Sequence, residues 1–132
     1  MTELNWPIEY SVGVEDFDFH HKRIFSMLDE LRNMEESDTE KKNEMVDEIV
    51  KHIAYHLLRE EILFKKFKYK YEARHVREHN KYRAKIDKFI QKRDNGTFDY
   101  ADFIQFLEGW WVHHIVNEDK KYQEVMNENG VY

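Results

Sequence analysis

The chain has 132 residues, enough for one hydrophobic core and too few for two, and carries a net charge of −6 at pH 7. It contains no cysteine, which excludes a disulfide framework, a thiolate zinc site and an iron–sulfur cluster, so any metal must be held by nitrogen and oxygen. The acidic balance argues against a nucleic-acid partner, and with neither a basic segment leading into an apolar stretch at the N-terminus nor an apolar run long enough to span a bilayer, the expectation is a cytoplasmic protein without membrane insertion.

With a single proline, Pro7, and four glycines, breaks are few, and the apolar residues recur at helical spacing. Residues 1–17 read as an N-terminal arm containing Trp6, Tyr10 and Val12. A first helix over about 18–35 follows, its apolar face marked by Phe17, His21, Ile24, Phe25, Leu28 and Leu31. Ser37-Asp38-Thr39-Glu40 contains a Ser-x-x-Glu capping box that opens a second helix over about 39–67. Its inward stripe is Met45, Ile49, Ile53, His56, Glu60, Phe64 and Phe67. The join to the third helix, near Lys68 to Ala73, has neither Gly nor Pro to mark it. The third helix, over about 71–93, carries His75, His79, Tyr82, Ile86 and Phe89, and Asp94-Asn95-Gly96 stops it with Gly96 as the left-handed residue. A fourth, over about 99–126, runs through Phe103, Leu107, Trp110, His114 and Val125. The pattern predicts an all-α single domain over 1–132, an up-down-up-down antiparallel four-helix bundle with an N-terminal arm.

Polar residues interrupt these apolar stripes in a chemically pointed way. His56 with Glu60, and His75 with His79, are each four residues apart, so each pair can aim two donors into one pocket. One such pair means little in a chain with eight histidines, since an inward histidine is usually a hydrogen-bonded core residue. Pairs on separate helices, with His21 and His114 on the other two, point instead to a metal. A carboxylate such as Glu60 among apolar ladders carries a desolvation penalty that a bound cation removes. Imidazoles with the carboxylates of Glu60 and Asp119 and no thiolate suit iron, zinc, copper or nickel better than magnesium or calcium. Seven donors exceed the needs of one ion. If Glu60 and Asp119 each bridge two ions and a solvent-derived oxygen bridges as well, three histidines complete one ion, and two leave the other open to a small molecule.

Trp6, Tyr10-Ser11-Val12-Gly13-Val14, Asp18-Phe19-His20-His21-Lys22, His56-Leu57-Leu58-Arg59-Glu60-Glu61, His75-x-x-x-His79 and Trp110-x-x-x-His114-Ile115-x-x-x-Asp119 fall in the order found in bacterial hemerythrins. The chain resembles that family over essentially its full length. The resemblance implies two non-haem iron ions with an oxo or hydroxo bridge, binding dioxygen reversibly. His75, His79 and His114 would hold the saturated iron, His21 and His56 the iron with the open position, and Glu60 and Asp119 would bridge. An apolar oxygen pocket would be lined by Ile115, with Phe25, Leu28 and Trp111 as further candidates. The implied function is oxygen storage, transport or delivery to an oxygen-consuming enzyme, by a monomeric protein that is not itself an enzyme. The alternatives are an oxygen or redox sensor, or a di-iron oxidase, peroxidase or nitric-oxide-handling protein. Oxygen-activating bundle enzymes use sites richer in carboxylate, so the histidine-rich balance favours carriage.

The sequence departs from the usual family pattern at His20, commonly Gln, at Leu57, commonly Phe, and at Lys70, commonly Pro; none of these removes a ligand. His114 and Asp119 are five residues apart, about 140° around an ideal helix, whereas Glu118 has the better i+4 spacing. Following the family selects Asp119 and predicts that the fourth helix is locally widened or distorted here, as at a π-bulge. His52 lies one turn before His56, and His20 and His113 adjoin assigned ligands, so all three are conceivable substitutes, weighed here as surface or supporting groups. Lys65 to Tyr71 reads as a solvated cationic helix end rather than a docking patch. The Trp110-Trp111 pair and the phenylalanines of helices one and four read as core.

Overall fold

A computed structural model describes residues 10–132, so Trp6 and most of the expected arm lie outside the described residues. Four helices, α1 (Glu15–Arg32), α2 (Thr39–Lys66), α3 (Glu72–Asp94) and α4 (Tyr100–Asn117), precede a 3₁₀ turn (Asp119–Tyr122) and a short α5 (Gln123–Glu128). No strand occurs among the described residues. The helices α1 to α4 pack in sequence, and α4 returns against α1, closing an up-down-up-down antiparallel bundle. No helix among the described residues is long and apolar enough to cross a membrane.

One-sided burial explains why these segments fold as they do. Buried residues recur every three or four positions: Ile24, Phe25, Leu28 and Leu31 on α1, Val46, Ile49, Ile53 and Leu57 on α2, Tyr82, Ile86 and Phe89 on α3, and Phe103, Leu107, Trp111 and Ile115 on α4. The histidines occupy the same stripes but keep to one end. His21 is in the first half of α1, His56 late in α2, His75 and His79 early in α3, and His114 late in α4. Antiparallel alternation therefore brings all of them to one level, while the other half of the bundle stays apolar. Phe19 corrects the expectation that every phenylalanine of α1 is core, since it is 60% exposed.

The helix ends differ from expectation at several points. Helix α1 starts at Glu15, with Glu15, Asp16 and Asp18 in the first turn, where carboxylates complement the helix dipole. Asp18 also holds the arm, accepting from Ser11 Oγ at 2.7 Å and from the Val12 N–H at 2.8 Å. Gly13 has φ +72°, a left-handed backbone conformation that favours glycine, while an added Cβ would meet only the exposed and movable side chain of Gln123. The Ser37-x-x-Glu40 capping box does not form: the N-cap is Asp38, without a side-chain cap bond. With Thr39 first in the helix, Glu40 is its second residue rather than the third, from which a capping-box carboxylate reaches back.

The unmarked join after α2 is a Schellman motif built on lysine. Lys68 takes φ +52°, its N–H donates to Lys65 O at 3.4 Å, and the Tyr69 N–H donates to Phe64 O at 2.9 Å. The accompanying hydrophobic contact is the pair Phe64 and Tyr69, ring centroids 4.9 Å apart. After α3, Gly96 supplies the same conformation at φ +76°, with the Thr97 N–H donating to Lys92 O at 2.8 Å.

Candidate metal centre

Seven buried side chains from the four helices and the 3₁₀ turn meet in two groups. In one, donor atoms of Glu60, His75, His79 and His114 lie within 4.8 Å of one another; in the other, those of His21, His56, Glu60 and Asp119 do. All are at most 1% exposed. In the first group His114 Nε2 stands 3.1 Å from both His79 Nε2 and His75 Nε2. Glu60 Oε1 lies 3.1 Å from His79 Nε2 and 3.4 Å from His75 Nε2, and Asp119 Oδ1 lies 2.9 Å from His75 Nε2 and 3.1 Å from His114 Nε2. In the second group His21 Nε2 and His56 Nε2 are 3.0 Å apart, with Glu60 Oε2 3.0 Å from His56 and Asp119 Oδ2 3.2 Å from His21. Each carboxylate thus turns one oxygen to each group.

These spacings fit ions better than protons. Imidazole nitrogen faces imidazole nitrogen at 3.0 to 3.1 Å, and no donor reaches Glu60 Oε1 or either oxygen of Asp119 in hydrogen-bond geometry despite the nearby imidazoles. For metal–nitrogen bonds of about 2.1 Å, neighbouring octahedral donors stand about 3.0 Å apart, the octahedron's edge. Three nitrogens and two oxygens at edge-like spacings make the first group a nearly complete six-coordinate set. The second offers two nitrogens and two oxygens, leaving positions free. Electrostatics agrees. Burial pushes the Glu60 and Asp119 carboxyls up, yet the adjacent histidines hold both well below the usual carboxylate range. Burial lowers His75, but the Asp119 and Glu60 carboxylates outweigh it and raise it to about 10; His79 is raised in the same way against its own burial. Around His75 and His79 the carboxylates that draw protons onto imidazoles would equally draw cations, whereas at His21 burial prevails and lowers the imidazole.

Asp119, not Glu118, enters the centre, and the expected local distortion takes the form of an ended helix rather than a π-bulge. Helix α4 ends at Asn117, Glu118 leaves helical φ at −114°, and the chain resumes as a tight 3₁₀ turn starting at Asp119. The cause is simple: once the chain quits the helix, the angular count from His114 no longer applies. The Glu118 carboxylate is turned aside to accept from Arg74 Nη2 at 3.0 Å. Of the other histidines, His52 is exposed and sits 3.6 Å from Glu48, and His113 is exposed beside Asn117. His20 is half-buried with its Nδ1 2.9 Å from His56 Nδ1. The exposed Lys65, Lys66, Lys68 and Lys70 surround the end of α2.

Aromatic rings wall the cluster. Trp111 stands edge-on to His21 and His56, centroids 5.3 and 5.6 Å away, and its Nε1–H donates to His21 O at 3.3 Å. Ile115, Phe25 and Leu28 belong to the surrounding buried apolar cluster. Trp110 lies flat on His114 at 4.5 Å.

Two groups were missed by reading the sequence alone. Tyr122 is fully buried and its hydroxyl donates to Glu60 Oε2 at 2.9 Å. Burial and the Glu60 carboxylate raise its phenol well above the ordinary value, so it remains a donor. Glu61 accepts from His79 Nδ1 at 2.7 Å and from Arg83 Nη1 at 2.8 Å, an arrangement that orients a ligating imidazole. The adjacency of Glu61 to Glu60 carried a signal for it; nothing in the spacing pointed to Tyr122.

Similarity to known proteins extends over most of the chain. A protein from Naegleria gruberi described as "Hemerythrin-like protein" is 30% identical over 126 residues, covering 95% of each chain. A "Bacteriohemerythrin" from Stenotrophomonas maltophilia is 27% identical over 126 residues, covering 94% of this chain and 82% of its own. A crystal structure of wild-type hemerythrin superposes with a TM-score of 0.86 at 25% identity, over 94% of this chain and 98% of that one. The family profile described as "Hemerythrin HHE cation binding domain" matches residues 12–125. With the profile spanning nearly all of a bundle that gathers its donors at one end, the chain belongs to the hemerythrin family.

Proposed function

We propose that this chain binds dioxygen reversibly at a non-haem di-iron centre, for storage or for delivery to an oxygen-consuming partner. The observation that carries the reading is the asymmetry of two donor groups joined by two shared carboxylates. Three histidines serve one group and two the other, all beyond the reach of bulk water. When bound, a ferrous pair supplies the reversible redox capture of dioxygen.

The chain's own residues then do three things. His75, His79 and His114, with one oxygen each from Glu60 and Asp119, would hold one ion with few positions to spare, which would confine chemistry to the other. His21 and His56 would hold the second ion with fewer donors and leave room for a diatomic ligand. Trp111, Ile115, Phe25 and Leu28 exclude water and substrates, which favours capture over turnover. Tyr122, by donating to Glu60 Oε2, fixes the shared carboxylate on the side where room is left. The small share of carboxylate supports a binding protein over an oxidase or peroxidase.

The test is iron content and visible absorption of protein reduced without air, exposed to oxygen, then purged. Two irons per chain and a charge-transfer band that appears in air and disappears on purging are expected. A pair that oxidises once and does not return would overturn reversible binding in favour of a redox enzyme or sensor, and absence of iron would overturn the di-iron reading.

A further inference from the structure

The two groups differ in what stands behind their histidines, and the difference lies in a residue that ligates nothing. His56 meets the cluster through Nε2, 3.0 Å from Glu60 Oε2 and 3.0 Å from His21 Nε2. An imidazole that ligates through Nε2 is neutral and carries its proton on Nδ1. That proton lies between His56 Nδ1 and His20 Nδ1, which are 2.9 Å apart. His20 must therefore present a lone pair at Nδ1 and keep its own proton on Nε2. The His20 ring is held edge-on to His56, centroids 5.1 Å apart, and to Tyr55 at 5.9 Å. On its solvent side His20 lines a groove with Phe19, Arg23, Lys51, His52 and Tyr55.

The other group is supported in a different way. There His79 Nδ1 faces the Glu61 carboxylate at 2.7 Å, with Arg83 completing the array. An anionic acceptor makes an imidazole more basic and a stronger donor to an oxidised ion; a neutral imidazole orients its partner without adding that charge.

We propose that His20 is a positioning residue for His56: its neutral imidazole accepts the His56 Nδ1–H, fixes His56 as an Nε2 donor, and leaves the ion beside His21 and His56 without the carboxylate support that Glu61 gives the other ion through His79. The inference rests on the metal-binding reading above. Its consequence is that the chain keeps the more open ion the easier of the two to hold in its reduced state.

Two substitutions place an acceptor oxygen where His20 Nδ1 stands and differ only in charge: His20→Asn and His20→Asp. Iron affinity by chelator competition and the midpoint potential of the iron pair are measured for these, for His20→Ala and for the wild type. His20→Asn is expected to match the wild type in both. His20→Asp is expected to favour the oxidised ion about tenfold, a potential lower by about 59 mV for a one-electron couple. His20→Ala is expected to lose about 10- to 100-fold in affinity. Nitrogen-15 NMR of the zinc-loaded wild type gives a readout independent of redox chemistry and of the variants' folding. A scalar coupling between His20 Nδ1 and His56 Nδ1 across the shared proton is expected. His20→Asn behaving as His20→Ala, His20→Asp leaving the potential unchanged, or a protonated His20 Nδ1 without coupling would each overturn the proposal while leaving the centre in place. A wild type that takes up neither iron nor zinc would overturn the centre, and this proposal with it.

Discussion

Asp119 and Glu118 are neighbours in sequence with the same functional group, yet one faces two histidine groups and the other faces Arg74. A reading that counts residues around a helix chooses the wrong one, because the helix ends between His114 and Asp119. Asp119→Ala is accordingly expected to abolish binding of two irons per chain, whereas Glu118→Ala leaves the iron content intact and at most shifts stability by about 1 kcal/mol, as for a partly exposed ion pair. Metal analysis of the purified variants decides it, and retention of both irons by Asp119→Ala would remove Asp119 from the ligand set. The histidines were legible because i+4 pairs on amphipathic stripes carry their own signal. Asp119 was legible only through resemblance to a family. Tyr122 was not legible at all, since its approach to Glu60 across 62 residues exists only once the 3₁₀ turn has formed.

At the level of elements, the helices could be read from their apolar period, and their ends could not. The join after α2 carries no Gly or Pro, because Lys68 itself takes the left-handed conformation and the Tyr69–Phe64 contact compensates for the strain. A lysine there costs on the order of 1 kcal/mol relative to a residue without a Cβ. Lys68→Gly is therefore expected to raise unfolding stability by roughly 1 kcal/mol with no change in metal content. Urea denaturation of the two proteins with equal metal loading measures this. A loss of stability would show that the Lys68 side chain contributes more than its backbone conformation costs. The capping box at Ser37 failed for a related reason: a shift of one residue in the start of α2 moves Glu40 out of reach, and sequence patterns place boundaries less sharply than faces.

Across the whole molecule, the bundle is a core divided in two. One half is closed by aliphatic and aromatic packing, and the other is filled by five imidazoles and two carboxylates placed so that they could hold cations. Metal binding and folding should therefore be linked: ions bound to the folded chain and not to the unfolded one add about 1.4 kcal/mol for each tenfold excess over their dissociation constant. Protein stripped of metal under reducing conditions is expected to unfold at lower urea than the iron-loaded form, with the gap widening as free metal rises. Equal midpoints would mean that the polar half is stable without ions.

The donors do not all come from the bundle proper. Asp119 and the supporting Tyr122 lie on the segment after α4, and Asn127 of the following α5 donates to Gly13 O at 3.0 Å, fastening that segment to the start of the described chain. The segment around Gly13 and α5 are thus clasped over the end of the bundle that gathers the donors. Residence time and overall stability are consequently expected to be separate properties. A bound ion would leave when this clasp unlatches, a local opening that need not separate the four helices, so exchange of metal is expected to follow the clasp rather than the melting of the fold.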